Sequence, residues 1–133
     1  MPQTTTHELF KNAEQGNSHA QFNLGLKYLK GDGVSQSFIQ AAQWFRTAAE
    51  FGHVDAQYQL GVRYENGEGV PQDKKQAFQL YNQAAKQGLA AAHKRVSDDR
   101  HERYMKAANL LRQWMEEEPE DDEEVWPRMK REM

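Results

Sequence analysis

The sequence predicts an all-α fold, an α/α solenoid of about three helix-turn-helix repeats with a 36-residue period. Three observations predict it: the chain matches itself at a shift of 36 residues, apolar residues recur at helical spacing, and Gly-x-Gly-Val segments separate the helices. The positions that coincide at this shift include Gly16, Gly52 and Gly88, then Ala20, Ala56 and Ala92, and Tyr28 with Tyr64. Chance does not align this many glycines, alanines and aromatic residues, so the repeat organises the chain.

The first helix of each complete repeat carries one apolar stripe, because residues such as Ala20, Leu24 and Tyr28 recur every four positions. GDGV at 31–34 and GEGV at 67–70 then end these helices, since glycine adopts the positive-φ conformations that a helix end and a turn require. These segments are not phosphate-binding loops, because such a loop follows a strand and the pattern predicts none before them.

The second helix of each repeat begins after a capping residue, Ser37 in the first repeat and Asp73 in the second. Glutamine follows three residues later in both cases, at Gln40 and Gln76, which is the capping-box pattern. An apolar stripe then runs to the end of the helix, where a glycine, Gly52 in the first repeat, acts as the C-terminal cap. In the first repeat the stripe comprises Phe38, Ala41, Trp44, Phe45 and Ala48.

Incomplete units flank the two complete repeats, which are residues 17–52 and 53–88. Residues 5–16 match the second helix of a repeat and form a half repeat. Residues 89–115 form a degenerate capping repeat, as the end of a solenoid requires. Residues 1–115 are therefore expected to form one domain of seven helices in a short right-handed superhelix.

The capping repeat is shorter than the others. Its second helix matches that of the first repeat at a shift of 66 rather than 72, so six residues are missing, and no Gly-x-Gly turn is present. Two alternatives remain open: a turn shortened to about Ser97–Arg100, or two helices fused into one. In either case Trp114, which aligns with Ala48, is expected to close the last layer of the core.

An acidic tail, residues 116–133, follows the solenoid. It carries nine acidic and three basic residues, and Glu116–Glu124 is acidic except for Pro119. Such a segment repels itself and is expected to be flexible. Trp126 lies beyond the acidic run and has no core to join, so it is a candidate for docking. Docking into the groove of a neighbouring chain would produce a homodimer.

Composition excludes several function classes. The absence of cysteine excludes disulfides, thiolate zinc sites and a cysteine nucleophile. The N-terminus lacks the basic and apolar segments of a secretory signal, so we expect a cytoplasmic protein. Dispersed basic residues and the lack of a long apolar run predict neither nucleic-acid nor membrane binding. The five histidines form no recognised metal-ligand pair and the serines stand at caps and turns, so no catalytic residue, metal or cofactor is expected.

Residues 17–88 closely resemble the Sel-one-like repeat (SLR), a branch of the tetratricopeptide-type α/α repeats. The resemblance is carried by A-x-x-x-L-G-x-x-Y-x-x-G-x-G-V followed by A-x-x-x-x-x-x-A-A-x-x-G. It implies a non-catalytic adaptor or scaffold that binds another protein. Some relatives are immunity proteins that neutralise a toxin by direct binding, which remains an alternative. A cysteine-rich subgroup is linked to β-lactam hydrolysis, and this chain matches that subgroup poorly because it has no cysteine.

The partner is expected on the concave face, which the first helices of such a solenoid line. Positions outside the apolar stripe face this groove, and the candidates are Asn23, Leu26, Lys27 and Lys30; Gln59, Val62, Arg63 and Asn66; and Lys94 and Arg95. Lys27 and Arg63 are equivalent at a shift of 36, so their charges are expected to line one face. The resulting mildly basic groove would suit an acidic or extended segment of another protein.

Overall fold

The computed structural model describes residues 6–117, and this part of the chain is all-α, with six helices and no strand. The helices are α1 (Thr6–Glu14), α2 (Ser18–Lys30), α3 (Phe38–Glu50), α4 (Val54–Asn66), α5 (Lys74–Lys86) and α6 (Ala90–Glu116). The chain divides into two compact units after Ser97. Most of the predicted acidic tail, including Trp126, lies outside the described residues.

Within residues 6–97 the helices pack in chain order. α2 packs against α3 and α4 against α5, which gives the two predicted hairpins, while α1 packs against α2 and α3 against α4. The predicted stripes meet between them, and the largest fully buried side chains are Leu24, Phe45 and Tyr81. Phe38, the first residue of α3, is 39% exposed, so the stripe of this helix begins one turn later than predicted, at Ala41.

Side-chain caps begin the four helices of the complete repeats. The predicted cap residues are confirmed, since Ser37 Oγ accepts from the Gln40 N–H at 3.2 Å and Asp73 Oδ1 from the Gln76 N–H at 3.1 Å. The second half of the predicted capping box is not formed, because the N–H groups of Ser37 and Asp73 donate instead to the carbonyls of Tyr28 and Tyr64. Asn17 caps α2 and His53 caps α4 in the same way. Each cap satisfies an N–H group that has no partner inside its own helix, and thereby fixes where the helix starts.

The glycine turns between the paired helices are also confirmed. Gly31 and Gly67 adopt the left-handed conformation, with φ of +72° and +70°. The N–H of Gly31 donates to the carbonyl of Lys27 and that of Gly67 to the carbonyl of Arg63, so each glycine closes its helix. Five residues later, Gln36 and Gln72 each donate a side-chain hydrogen bond of 2.9 Å back to the last turn of the preceding helix. The two turns therefore have one conformation.

A glycine in each first helix allows the second helix to approach closely. A Cβ atom placed on Gly25 would lie 2.6 Å from the ring of Phe45, and one on Gly61 would lie 2.6 Å from the ring of Tyr81. Both distances are below van der Waals contact, so no other residue fits without movement. The helical hairpin thus depends on pairing a glycine with an aromatic ring.

The third unit differs from the prediction. α6 is helical without interruption through Ser97–Arg100, so the two helices are fused and the described residues form six helices rather than the expected seven. The six missing residues are the equivalents of 31–36 and 67–72, which contain the glycines that end α2 and α4, and the third unit has no other glycine in their place. Trp114 is 69% exposed, so the prediction that it closes the last core layer is wrong for the described chain.

Candidate functional site

Four of the ten predicted partner-binding residues lie together on α2. Asn23, Leu26, Lys27 and Lys30, with Leu9 and Asp32, line a shallow depression of about 300 Å³, here termed the α2 depression. The helical spacing of the four residues places them on one side of α2, next to α1. The four residues therefore share one surface of the first repeat.

A turn acid offsets one cation of this surface: Asp32 pairs with Lys27, while Lys30 leaves one positive charge in excess. Lys27 Nζ lies 3.6 Å from Asp32, and the equivalent Arg63 Nε lies 3.6 Å from Glu68. Arg63 is only 7% exposed, so its guanidinium is part of the packed interior and not of an open face. The two charges are equivalent, as predicted, but each is balanced within its own repeat.

The remaining residues predicted on the second repeat have separate surroundings. Val62 packs against the apolar cluster around Ala77 and Tyr81. Gln59 is half-buried, and Asn66 is exposed and donates from Nδ2 to Glu68 at 3.2 Å. Val62 and Asn66 therefore contact their own repeat and its turn.

Of the two residues predicted on the third unit, Lys94 is exposed and Arg95 joins α6 to the second repeat. Arg95 Nη1 donates to Glu65 Oε2 at 2.6 Å, and Arg95 Nε donates to the Tyr58 hydroxyl at 3.1 Å. Its guanidinium lies 5.4 Å from the centroid of the Tyr81 ring. Arg95 therefore forms a structural contact between α6 and the second repeat, and we term its contacts with Glu65, Tyr58 and Tyr81 the clasp.

The environment of the clasp raises the pKa of Tyr81. The Tyr81 hydroxyl donates to Glu65 Oε2 at 2.6 Å. Burial, together with this hydrogen bond to a carboxylate, raises the pKa of Tyr81 above its ordinary value of 10.0. Deprotonation would remove the donor and place two negative charges side by side, so the phenol is held neutral as a structural donor.

A larger groove, which the sequence pattern did not predict, lies between the two second helices. This α3–α5 groove has a volume of about 640 Å³. Its lining residues come from both complete repeats: Arg46, Ala49, Glu50, Gly52, Gln57, Leu60, Leu80, Gln83, Lys86 and Gln87. It is therefore a surface that a single repeat does not form.

The α3–α5 groove combines an apolar floor with amide groups. Leu60 is 4% exposed and Leu80 is half-buried, which gives the floor. Gln87 Nε2 donates to Gln57 Oε1 at 2.8 Å, and Gln57 Nε2 donates to the Ala49 carbonyl at 3.4 Å. This arrangement holds the amides in place beside the floor.

The rim of the α3–α5 groove is charged. Arg46, Lys86 and Glu50 are all exposed, which leaves one positive charge in excess. Arg46 Nη2 donates to the Tyr64 hydroxyl at 2.5 Å, so this cation is oriented by a residue of the next repeat. The repeat of glutamine at positions 21 and 57 is the one sequence signal for a wall of the groove. Gln21 Nε2 donates to the Ala13 carbonyl of the preceding helix, as Gln57 Nε2 does to the Ala49 carbonyl.

Residues 6–117 contain no group of three histidine, cysteine, aspartate or glutamate side chains placed to hold a metal ion. In the same part of the chain, no helix has the length and apolarity needed to cross a bilayer. The chemistry available at the surfaces described above is hydrogen bonding, apolar contact and charge.

The family model for the Sel1 repeat matches the chain twice, at residues 18–53 and 54–89. Similar solved structures include c5321, a protective antigen present in uropathogenic Escherichia coli strains displaying an SLR fold, with 44% identity and a TM-score of 0.71. That match covers 74% of this chain and 21% of the antigen, so this chain spans about a fifth of that protein.

Two further structures are similar. A Sel1 repeat protein from Oxalobacter formigenes is 40% identical with a TM-score of 0.68, over 69% of each chain. Helicobacter pylori cysteine rich protein B is 28% identical with a TM-score of 0.62, over 65% of each chain. None of the curated proteins matches the chain. The two matched repeats, the 36-residue period and the paired helices together show that the chain belongs to the Sel1 repeat family, whose repeats generally mediate protein–protein interaction.

Proposed function

We propose that this chain is a non-catalytic interaction module that binds an extended segment of another protein in the α3–α5 groove. The observation that carries the proposal is the pairing of an apolar floor, Leu60 and Leu80, with the exposed amide of Gln87, which the buried Gln57 orients, on a surface built from both repeats. An extended segment presents unpaired backbone groups to amides and alternate side chains to a floor, which is the chemistry of peptide recognition.

The rim favours a segment with an acidic residue. Arg46 and Lys86 flank the groove against one carboxylate, Glu50, so an acidic side chain would gain a cation on either side. The predicted preference for an acidic, extended partner is thus kept, but it moves from the first helices to the second helices. A toxin neutralised by direct binding would be one such partner, and no observation favours it over others.

The proposal is tested by capture of partners from cells that naturally express the chain. Wild type is compared with Arg46→Glu plus Lys86→Glu, and with a matched control, Lys27→Glu plus Lys30→Glu, which makes the same charge change at the α2 depression. We expect a partner that is retained by wild type and the control and lost from the groove variant. Loss from the control alone would transfer the site to the α2 depression, and retention by both variants would contradict a charged groove.

A further inference from the structure

The second half of α6 carries an apolar stripe that the described residues leave uncovered. Tyr104, Leu111 and Trp114 are 69%, 60% and 69% exposed, and Ala107 is exposed between them. Leu110 and Met115 beside the stripe are 65% and 71% exposed. Scattered apolar residues are ordinary on protein surfaces, but a continuous stripe along a helix indicates a surface that binds.

The repeat register of this stripe identifies the kind of helix that it would pack against. At a shift of 66, Ala107, Leu111 and Trp114 coincide with Ala41, Phe45 and Ala48 of α3, all of which are 0% exposed. In α3, Ala41 and Phe45 pack against apolar residues of α2, the first helix of the same repeat. The second half of α6 therefore has the sequence of a second helix and lacks a first helix to cover it.

The first unit offers a matching surface at the start of α6. Ser97 is equivalent to Gly25 and Gly61, which are buried beneath the rings of Phe45 and Tyr81, yet Ser97 is exposed. The residue that would face Ser97 in this register is Leu111. A glycine against an aromatic ring is thus replaced by a serine against a smaller aliphatic side chain, so a gain in size on one helix is matched by a loss on the other.

A single copy of α6 cannot join these two surfaces. Positions fourteen residues apart in a continuous helix are separated by about 21 Å along its axis, so they cannot pack on one another. The six missing residues are those that would reverse the chain between them. Shortening the turn of a hairpin is a known route to exchange of its halves between chains.

We propose that a second copy of this chain covers the stripe, through reciprocal exchange of the second half of α6. The half that contains Leu111 in one copy packs on the Val96–Ser97 surface of the other, and the reverse contact forms by two-fold symmetry. Each copy then supplies the second helix that the third repeat of its partner lacks. This inference rests on α6 alone and is independent of the proposed function.

Engineered cysteines test the contact directly, because the natural chain has none. Chains with Ser97→Cys are mixed with chains with Leu111→Cys, partly unfolded together, refolded and mildly oxidised. We expect disulfide-linked heterodimers that contain one chain of each kind, and little linkage within either sample alone. The spacing of Tyr104, Ala108, Leu111 and Met115 would also suit direct pairing of two α6 helices. Self-linkage of the Leu111→Cys chains would support that pairing and overturn the exchange.

Restoring the turn is the second test. The turn of the first repeat, residues 31–36, is inserted between Glu102 and Arg103, and the mass of the full chain is measured by light scattering over a range of concentrations. We expect a dimer for the natural chain and a folded monomer for the insertion variant, with helix content measured by circular dichroism. A monomeric natural chain, or an insertion variant that stays dimeric, would overturn the proposal.

Point substitutions test the stripe independently of the insertion variant and of whether that variant folds. Leu111→Asp places a charge on the stripe, and Gln113→Asp places the same charge on the opposite side of α6, where the residue is also exposed. We expect Leu111→Asp to weaken dimerisation at least tenfold and Gln113→Asp to leave it unchanged. Equal dimerisation of the two variants would contradict a role for the stripe.

Discussion

Gly25 of α2 lies directly beneath the aromatic ring of Phe45 in α3, so close that a Cβ atom at position 25 would be 2.6 Å from Cε1 of that ring. The same relationship holds between Gly61 and Tyr81 in the next repeat. Phe45 is fully buried, and because protein interiors are close-packed, its ring can move only by displacing its neighbours. The distance between the paired helices is therefore set by the absence of a side chain at one position.

We predict that Gly25→Ala destabilises the protein. Alanine favours a helix over glycine by about 1 kcal/mol, whereas overpacking a core costs about 1 to 3 kcal/mol. Because the ring of Phe45 is enclosed, we expect the clash to prevail and the free energy of unfolding to fall by about 1 kcal/mol in urea titrations. In a chain that already carries Phe45→Leu, Gly25→Ala should lower the free energy of unfolding by less than it does in wild type. A double variant destabilised by the sum of the two single effects would contradict the steric account.

The turn glycines give a second prediction. Gly67 has φ of +70°, a conformation that costs a β-branched residue about 1 to 2 kcal/mol. Gly67→Val should lower the free energy of unfolding by at least about 1 kcal/mol, and Gly31→Val should behave alike because its turn has the same conformation. Asparagine tolerates this conformation better, so Gly67→Asn should cost less than Gly67→Val. Equal stability of wild type and Gly67→Val in urea would contradict the turn assignment.

His53 makes the start of α4 sensitive to pH. Its Nδ1 accepts from the Ala56 N–H at 3.2 Å, and its ring stacks on Phe22 with centroids 4.7 Å apart. Burial lowers the pKa of His53 below its ordinary value of 6.5; the Asp55 charge opposes this shift and His19 adds to it. The unfolded chain then takes up a proton at higher pH than the folded chain. This stabilisation is therefore present above pH 6.5 and is lost as the pH falls through the lowered pKa.

The chain itself supplies the control for this prediction. Asn17 occupies the equivalent position in the first repeat and caps α2 by accepting from the Ala20 N–H at 3.0 Å. His53→Asn should keep the cap and remove the dependence on pH from about 7 to 5 in thermal unfolding. His53→Ala should lose about 1 kcal/mol at all pH values, because the cap is absent. A His53→Asn variant with the pH profile of wild type would locate the titration elsewhere.

The clasp between α6 and the second repeat is open to a double-mutant cycle. Arg95 and Glu65 form a partly exposed ion pair with a distance of 2.6 Å, which Tyr81 reinforces through the same carboxylate. We expect Arg95→Ala and Glu65→Gln to be coupled by about 1 kcal/mol in the free energy of unfolding, with a smaller coupling at high salt. Additive effects would show that the pair contributes geometry but no net stability.

The turns and caps of the repeats were predictable because they depend on local chemistry. A glycine that ends a helix and a serine or aspartate that begins one act on backbone groups within a few residues. Gly31, Gly67, Ser37 and Asp73 therefore take the roles that the pattern assigns to them. Asn17 and His53 share the capping role, although a histidine at a cap gives a weaker sequence signal.

The third unit could not be settled in the same way. Ser97–Arg100 contains no glycine or proline, so the local sequence favours continued helix while the register of the flanking residues favours a hairpin. Ion pairs of Asp99 with Arg103 and of Glu102 with Lys106 support the helix further along. The position of Trp114 was inferred from the repeat register alone. The register indicates which helix Trp114 would pack against, but it does not show that a turn reverses the chain and brings the two helices together.

The candidate site was predictable only in part. The sequence grouped Lys27 and Lys30 on one side of α2, but it did not pair Lys27 with Asp32, because the acid belongs to the turn and its direction depends on the turn conformation. The α3–α5 groove was missed because its walls come from positions such as Arg46 and Gln83, which repeat packing brings together over long sequence separations.

Photo-crosslinking inside living cells tests the central claim, that the α3–α5 groove binds another protein. A photoreactive amino acid replaces Gln83, which lines the groove, and in a matched strain replaces Asn82, which is exposed and is not among the lining residues. Irradiation should link the chain to one partner protein from position 83 and not from position 82. No adduct at position 83, or the same adduct from both positions, would contradict the proposed groove.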